Sequence, residues 1–244
     1  MDMFWDIVNL IGNNLYFVLF IAVLIFTMII QARLNSTYNK YSKIANSRGM
    51  TGAQAAEEIL RAHGVYDVEV KMIQGKLSDN FNPRTKVLSL SPEVYSGCTI
   101  AAVGIAAHEA GHAIQHDKSY LPVKLRTALV PVANIGSKFS FIIILVGVLI
   151  SSFAQSNIGY YLAIGGLCLF LFTLLFGIVT LPVEFNASKR AKTILSDTLA
   201  MDRADLKGVK KVLNSAAMTY VASVASSVLY LFRMLAIVGS ARRN

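Results

Sequence analysis

The sequence predicts a mainly α-helical, multi-pass membrane protein, with three to four transmembrane helices and a small α+β domain on the cytoplasmic side. Three observations carry that reading. Hydrophobic residues make up 55% of the 244 and charged residues only 15%, far from the balance of a soluble chain. Lysine and arginine are segregated: none in residues 1–31, thirteen in 32–138, none in 139–182, seven in 183–215. The charge-free runs approach or exceed the roughly 20 residues that cross about 30 Å of hydrocarbon. A net charge of +9 would suggest a nucleic-acid partner in a soluble chain. Gathered beside apolar runs, it marks membrane sidedness instead, and no nucleic acid is expected.

Residues 1–32 read as an N-terminal transmembrane anchor, built on the uncharged run from Leu15 to Ile30. The start, Met1-Asp2-Met3-Phe4-Trp5-Asp6, lacks the basic flank of a cleavable signal, so the anchor is expected to stay. Residues 33–138 read as the cytoplasmic α+β domain. In it, Thr51 to Gly64 forms a helix with Thr51 near the N-cap and Gly64 as the stop, and His63 contacts the last turn. Val68–Met72 and Lys86–Ser91 alternate with the period of strands around turn residues 79–84, which predicts a short antiparallel pair.

Residues 139–183 read as a transmembrane hairpin, Phe139–Ala154 and Ile158–Val183, packed antiparallel through a turn at 155–157. Residues 184–211 read as a cytoplasmic helix, begun after Pro182, and residues 212–244 as a fourth transmembrane or membrane-packed helix. Arg233 interrupts that last stretch. Its pairs Ala222/Ser226 and Ser223/Ser227 have the spacing that lets helices approach closely, which favours a fourth span. Under the positive-inside rule the N-terminus and the 155–157 turn face outward and both basic segments face the cytoplasm, although a fourth span leaves Arg242 and Arg243 outside. Cys98 and Cys168 fall in no disulfide or metal-binding pattern.

The chemistry sits in Ala106-Ala107-His108-Glu109-Ala110-Gly111-His112-Ala113-Ile114-Gln115-His116. Histidines four apart lie on one helical face, so His108 and His112 can grip a single ion. Zinc acidifies a bound water, and a carboxylate placed like Glu109 can take that proton and return it to a leaving amine. The pattern points to peptide-bond hydrolysis with Glu109 as the catalytic base.

A catalytic zinc needs a third protein ligand. Position 118, six after His112, is lysine, which excludes a third histidine there. Glu184, the single glutamate after His112, is favoured over His116, Asp117, Asp197, Asp202 and Asp205 because it follows the third span at the membrane boundary. Asn186, Ser188, Arg190 and Tyr220 are candidates for orienting a ligand or stabilising an oxyanion. Val87, Leu88, Ser89 and Leu90 are expected to offer an exposed strand edge on which an extended substrate can pair.

The first span, the Asn82-Pro83-Arg84-Thr85 turn, the His108–Gln115 helix and the segment Pro182-Val183-Glu184-Phe185-Asn186-Ala187-Ser188-Lys189-Arg190-Ala191 resemble the YugP-type membrane zinc metallopeptidases. A more distant likeness links the chain to the HtpX and Ste24 proteases. The resemblance implies a gluzincin-like domain with one Zn2+ per chain held by His108, His112 and Glu184, and Glu109 as general base. It implies protein or peptide substrates, chiefly membrane proteins, in the plasma membrane of a bacterium. At Ser188 the chain departs from the distant relatives, which carry an aspartate one turn after the glutamate. The competing reading is a catalytically silent metal-binding membrane scaffold or regulator. A metal transporter is disfavoured, since His108 and His112 lie in a basic segment outside the spans.

Overall fold

The computed structural model describes residues 2–154 and 157–241, with side chains over 14–153 and 157–239. Residues 155 and 156 of the expected outward turn, and Arg242 and Arg243, lie outside the described residues. The chain is mainly helical, with a small three-stranded sheet, and divides into two compact units. In order the elements are α1 Asp2–Tyr41, α2 Gly52–Ala62, β1 Glu69–Met72, β2 Asn80–Asn82, β3 Val87–Leu90, α3 Pro92–Tyr95, α4 Ile100–Asp117, α5 Leu121–Ala154, α6 Asn157–Asp197 and α7 Arg203–Ala241.

One unit takes its residues from 1–29, 125–180 and 220–244, and is made of long apolar helices. Among the described residues four helices, α1, α5, α6 and α7, are long and apolar enough to cross a membrane. Leu15, Phe17, Val18 and Met28 on α1 and Phe153, Ile158 and Phe232 elsewhere are largely exposed, which suits lipid rather than water. The α5–α6 pair is antiparallel and close. A Cβ on Gly136 would meet the Leu169 carbonyl, one on Gly166 would meet Ile144, and one on Gly147 would meet Gly159 and Ala163. As the α5 number rises its α6 partner falls, and the small residues let the backbones touch.

Gly177 and Phe170 of α6 face Val224 and Tyr230 of α7 in the same falling order. Two of the serines that dilute this last helix, Ser226 and Ser227, donate to the carbonyls of Ala222 and Ser223 one turn back. Arg233, the charge that interrupts it, lies 5.1 Å from the Tyr16 ring of α1.

The second unit takes its residues from 30–124 and 181–219 and carries the polar chemistry. Its core is alanine-rich, with Ala55, Ala56 and Ile59 of α2 buried with Ala102, Val103, Ala106, Ala107 and Ala110 of α4. Thr51 caps α2 in a reciprocal box, its hydroxyl accepting from Gln54 N at 3.1 Å while Gln54 Oε1 accepts from Thr51 N at 2.9 Å. Gly64 follows with φ +73°, and His63 Nδ1 lies 2.9 Å from the Ile59 carbonyl. Thr99 caps α4, accepting from Ala102 N at 3.2 Å. The start of α7 packs on the start of α4, where Val209 fills the space left by Gly104.

Two expectations are corrected here. The predicted antiparallel pair is parallel: β1 runs alongside β3, and a third strand, β2, pairs antiparallel with β3 on its other side. The stretch between Met72 and Val87 is too long for a hairpin turn and contains a strand of its own. Its turn residues close the β2–β3 hairpin instead, where Asn82 Oδ1 accepts from Arg84 N at 3.0 Å and Lys86 adopts φ 53°. Val87–Leu90 is therefore the central strand, not an edge, and Leu88 and Leu90 are fully buried.

The second correction concerns Pro182, after which a new helix was expected. α6 continues through it from Asn157 to Asp197, as α5 does through Pro131. A proline forgoes one hydrogen bond to the preceding turn, and a long, otherwise intact helix tolerates that loss. The continuity matters because it holds Glu184 and Ser188 one turn apart on a single rigid face.

Candidate metal centre

α4 is helical for 18 residues because its buried face is built from small and branched apolar residues and its ends are capped. The four-residue spacing then stacks His108 and His112, whose ring centroids are 4.7 Å apart and nearly perpendicular. α6 brings Glu184 to them. Gly111, between the two histidines, makes this possible, since a Cβ there would lie 3.1 Å from the Ala187 carbonyl of α6. Glycine permits a helix approach that any side chain would hold open.

Among the described residues, His108, His112 and Glu184 form the one group of three such side chains that could hold a metal ion, with ligand atoms within 4.8 Å of one another. Glu184 Oε2 lies 3.3 Å from His108 Nε2 and 3.6 Å from His112 Nε2. Zinc bonds of about 2.0–2.1 Å at the tetrahedral angle hold neighbouring ligand atoms roughly 3.3–3.4 Å apart. Two imidazoles and a carboxylate at this spacing fit a zinc ion in donor type and in distance. Glu184 is almost fully buried while both histidines keep a little exposure.

Each histidine is also held from behind. Ser188 Oγ lies 3.2 Å from His108 Nδ1. Gln115 Oε1 lies 3.0 Å from His112 Nδ1, and its amide nitrogen donates to the Val183 carbonyl and to Asn186 Oδ1, each at 2.9 Å. Arg190 Nε donates to the same Asn186 oxygen at 2.8 Å. Burial lowers the pKa of His112, but the hydrogen bond to Glu184 and the charges of Glu109 and Glu184 outweigh it and raise the imidazole above its ordinary value.

Glu109, next to His108, is partly exposed. Four of the five competing third ligands are engaged elsewhere, and Asp197 is exposed at the end of α6. His116 lies against the Phe81 ring at 5.6 Å, Asp117 pairs with Lys118 at 2.9 Å, and Asp202 accepts from Asp205 N at the start of α7. Buried Asp205 accepts from Ser47 N and Ser47 Oγ at 2.7 and 2.6 Å. Tyr220 belongs to the membrane-helix unit, whereas the ligands lie in the other. Val87–Leu90 is covered on both sides by strands, and the sheet's free edges belong to β1 and β2. Of these, β2 lies against α4. Sequence reasoning assigned no role to Gln115. The available signal was a long amide three residues after a ligand histidine, inside an apolar helical face.

Residues 16–239 match a family model described as "putative neutral zinc metallopeptidase". Over 223 residues the chain is 40% identical to a Bacillus subtilis (strain 168) protein named "Putative membrane protease YugP", covering 91% of this chain and 96% of that one. No solved structure matches.

Proposed function

For a chain that belongs to this zinc metallopeptidase family, we propose a membrane-integral zinc-dependent endopeptidase that hydrolyses peptide bonds of membrane or membrane-proximal proteins at the cytoplasmic face. The convergence of His108, His112 and Glu184 from two helices carries the reading. These three side chains would hold one Zn2+ per chain. When bound, the ion supplies a Lewis acid that polarises a carbonyl and lowers the pKa of water. Glu109, one residue along from His108, would accept a proton from the attacking water and pass it to the leaving nitrogen. Ser188 and Gln115 orient the two imidazoles.

The free edge of β2, at Asn80–Asn82, takes over the substrate-pairing role expected of Val87–Leu90, because it is the edge beside α4. Four apolar helices favour substrates that share the bilayer. The segregation of Lys and Arg around them favours a cytoplasmic site.

The test uses detergent-purified wild type and Glu109→Gln, with zinc measured by mass spectrometry and cleavage of an unfolded membrane protein followed on gels. One zinc in each protein and cleavage by wild type alone is the expected outcome. Equal cleavage by both removes Glu109 from the chemistry. Zinc without cleavage in either leaves the silent scaffold as the better reading.

A further inference from the structure

We propose that Gln115 is a positioning residue that fixes the hydrogen of His112 on Nδ1, and that Asn186 and Arg190 hold Gln115 in the orientation this requires. The donor and acceptor types force the assignment. The Val183 backbone carbonyl can only accept, so the Gln115 atom 2.9 Å from it is the NH2 group. The Arg190 guanidinium can only donate, so the Asn186 atom 2.8 Å from its Nε is the oxygen. That oxygen also lies 2.9 Å from the Gln115 nitrogen. Both hydrogens of the Gln115 amide are thereby committed.

What Gln115 turns toward His112 is its carbonyl oxygen, 3.0 Å from Nδ1. A carbonyl accepts, so Nδ1 carries the hydrogen. When the ring is neutral that is its one hydrogen, and Nε2, 3.6 Å from Glu184 Oε2, is the nitrogen left to a metal. Gln115 is fully buried, so its two donors and one acceptor are set by protein groups. The contrast with His108 is informative. Ser188 offers a hydroxyl, which donates or accepts equally well, and by itself sets no tautomer there. Of the two histidines, His112 is preset for coordination and His108 adapts.

The consequence for zinc rests on the metallopeptidase reading; the tautomer does not. The test uses the full-length chain in detergent with 15N-labelled histidine rings, free of metal, followed by zinc titration against a chromophoric chelator. Gln115→Met keeps the length and removes every polar atom, whereas Gln115→Glu keeps an acceptor toward Nδ1. At alkaline pH, where the ring is neutral, wild type and Gln115→Glu are expected to carry the His112 hydrogen on Nδ1, and Gln115→Met to move it onto Nε2. Zinc affinity should fall about 10–100-fold in Gln115→Met, the range typical for lost partners behind a ligand.

An unchanged His112 tautomer in Gln115→Met overturns the proposal, as does undiminished zinc affinity in that variant. If Gln115→Met does not fold, Asn186→Leu and Asn186→Asp provide the second comparison. The aspartate keeps the acceptor and should match the wild-type ring spectrum, while the leucine should not; identical spectra from both overturn the role of Asn186. A wild type that shows the assigned tautomer and takes up no zinc counts against the metal reading and supports this one.

Discussion

Replacing Gly111 with alanine should separate metal affinity from stability, because the two depend on different consequences of one methyl group. The new Cβ would lie 3.1 Å from the Ala187 carbonyl, about 0.3 Å inside the 3.4 Å at which ordinary contact begins. Ala187 sits between Glu184 and Ser188 on a continuous helix, so yielding at that point moves both away from the histidines. Metal sites hold their distances to within about 0.2 Å, and a displacement of this size exceeds that tolerance. Zinc affinity should drop roughly tenfold, or about 1.4 kcal/mol. Alanine in place of glycine in a helix interior meanwhile stabilises by up to about 1 kcal/mol. Metal-free Gly111→Ala should therefore melt at or above the wild-type temperature while losing to a chelator that wild type outcompetes. Wild-type zinc affinity in this variant would refute the argument that the approach of α4 and α6 sets the ligand spacing.

Asp79 gives a pH signature away from the metal. Burial pushes its carboxyl above the ordinary aspartate value, against the Ser91 N–H and hydroxyl that pull it down, and Glu93 adds to the rise. Its folded state binds the proton more tightly than its unfolded state, so its contribution is largest in acid and is lost as pH rises from the ordinary value of 3.8 through the folded one. Asp79→Asn should thus gain on wild type between acidic and neutral pH in thermal melts; a constant difference across that range would contradict the sign. Asp205→Ala should cost about 2–4 kcal/mol in chemical denaturation, because it strips two charge-assisted bonds from Ser47 at a buried position. Ser47→Ala, which keeps the backbone N–H bond, should cost less than half as much.

The sequence made the helices legible because their signals are local. Long uncharged runs mark spans, Thr51 and Gly64 mark the ends of α2, and the four-residue spacing of His108 and His112 needs nothing beyond one helix. Glu184 was reachable because so few acids follow His112, yet its pairing across 76 residues is a tertiary fact. The sheet misled for a physical reason: alternation reveals strands but not their direction. Turn residues at 79–84 fit a hairpin whichever strand precedes it, and only the pairing of β1 with the far side of β3 decides. Pro182 misled because a proline's cost is small against a helix of 41 residues. Gln115 showed only as a long amide on an apolar helical face, since its role depends on a backbone carbonyl at Val183 and an amide at Asn186 that folding alone brings near.

X-ray absorption at the zinc edge of the purified protein tests the ligand set most directly. Two imidazole nitrogens and light oxygen donors at about 2.0–2.2 Å, with the imidazole signature weakened in His112→Ala and the oxygen shell altered in Glu184→Ala, are the predicted result. A sulfur shell near 2.3 Å, or a spectrum that neither substitution changes, would place the metal on other residues and contradict the account.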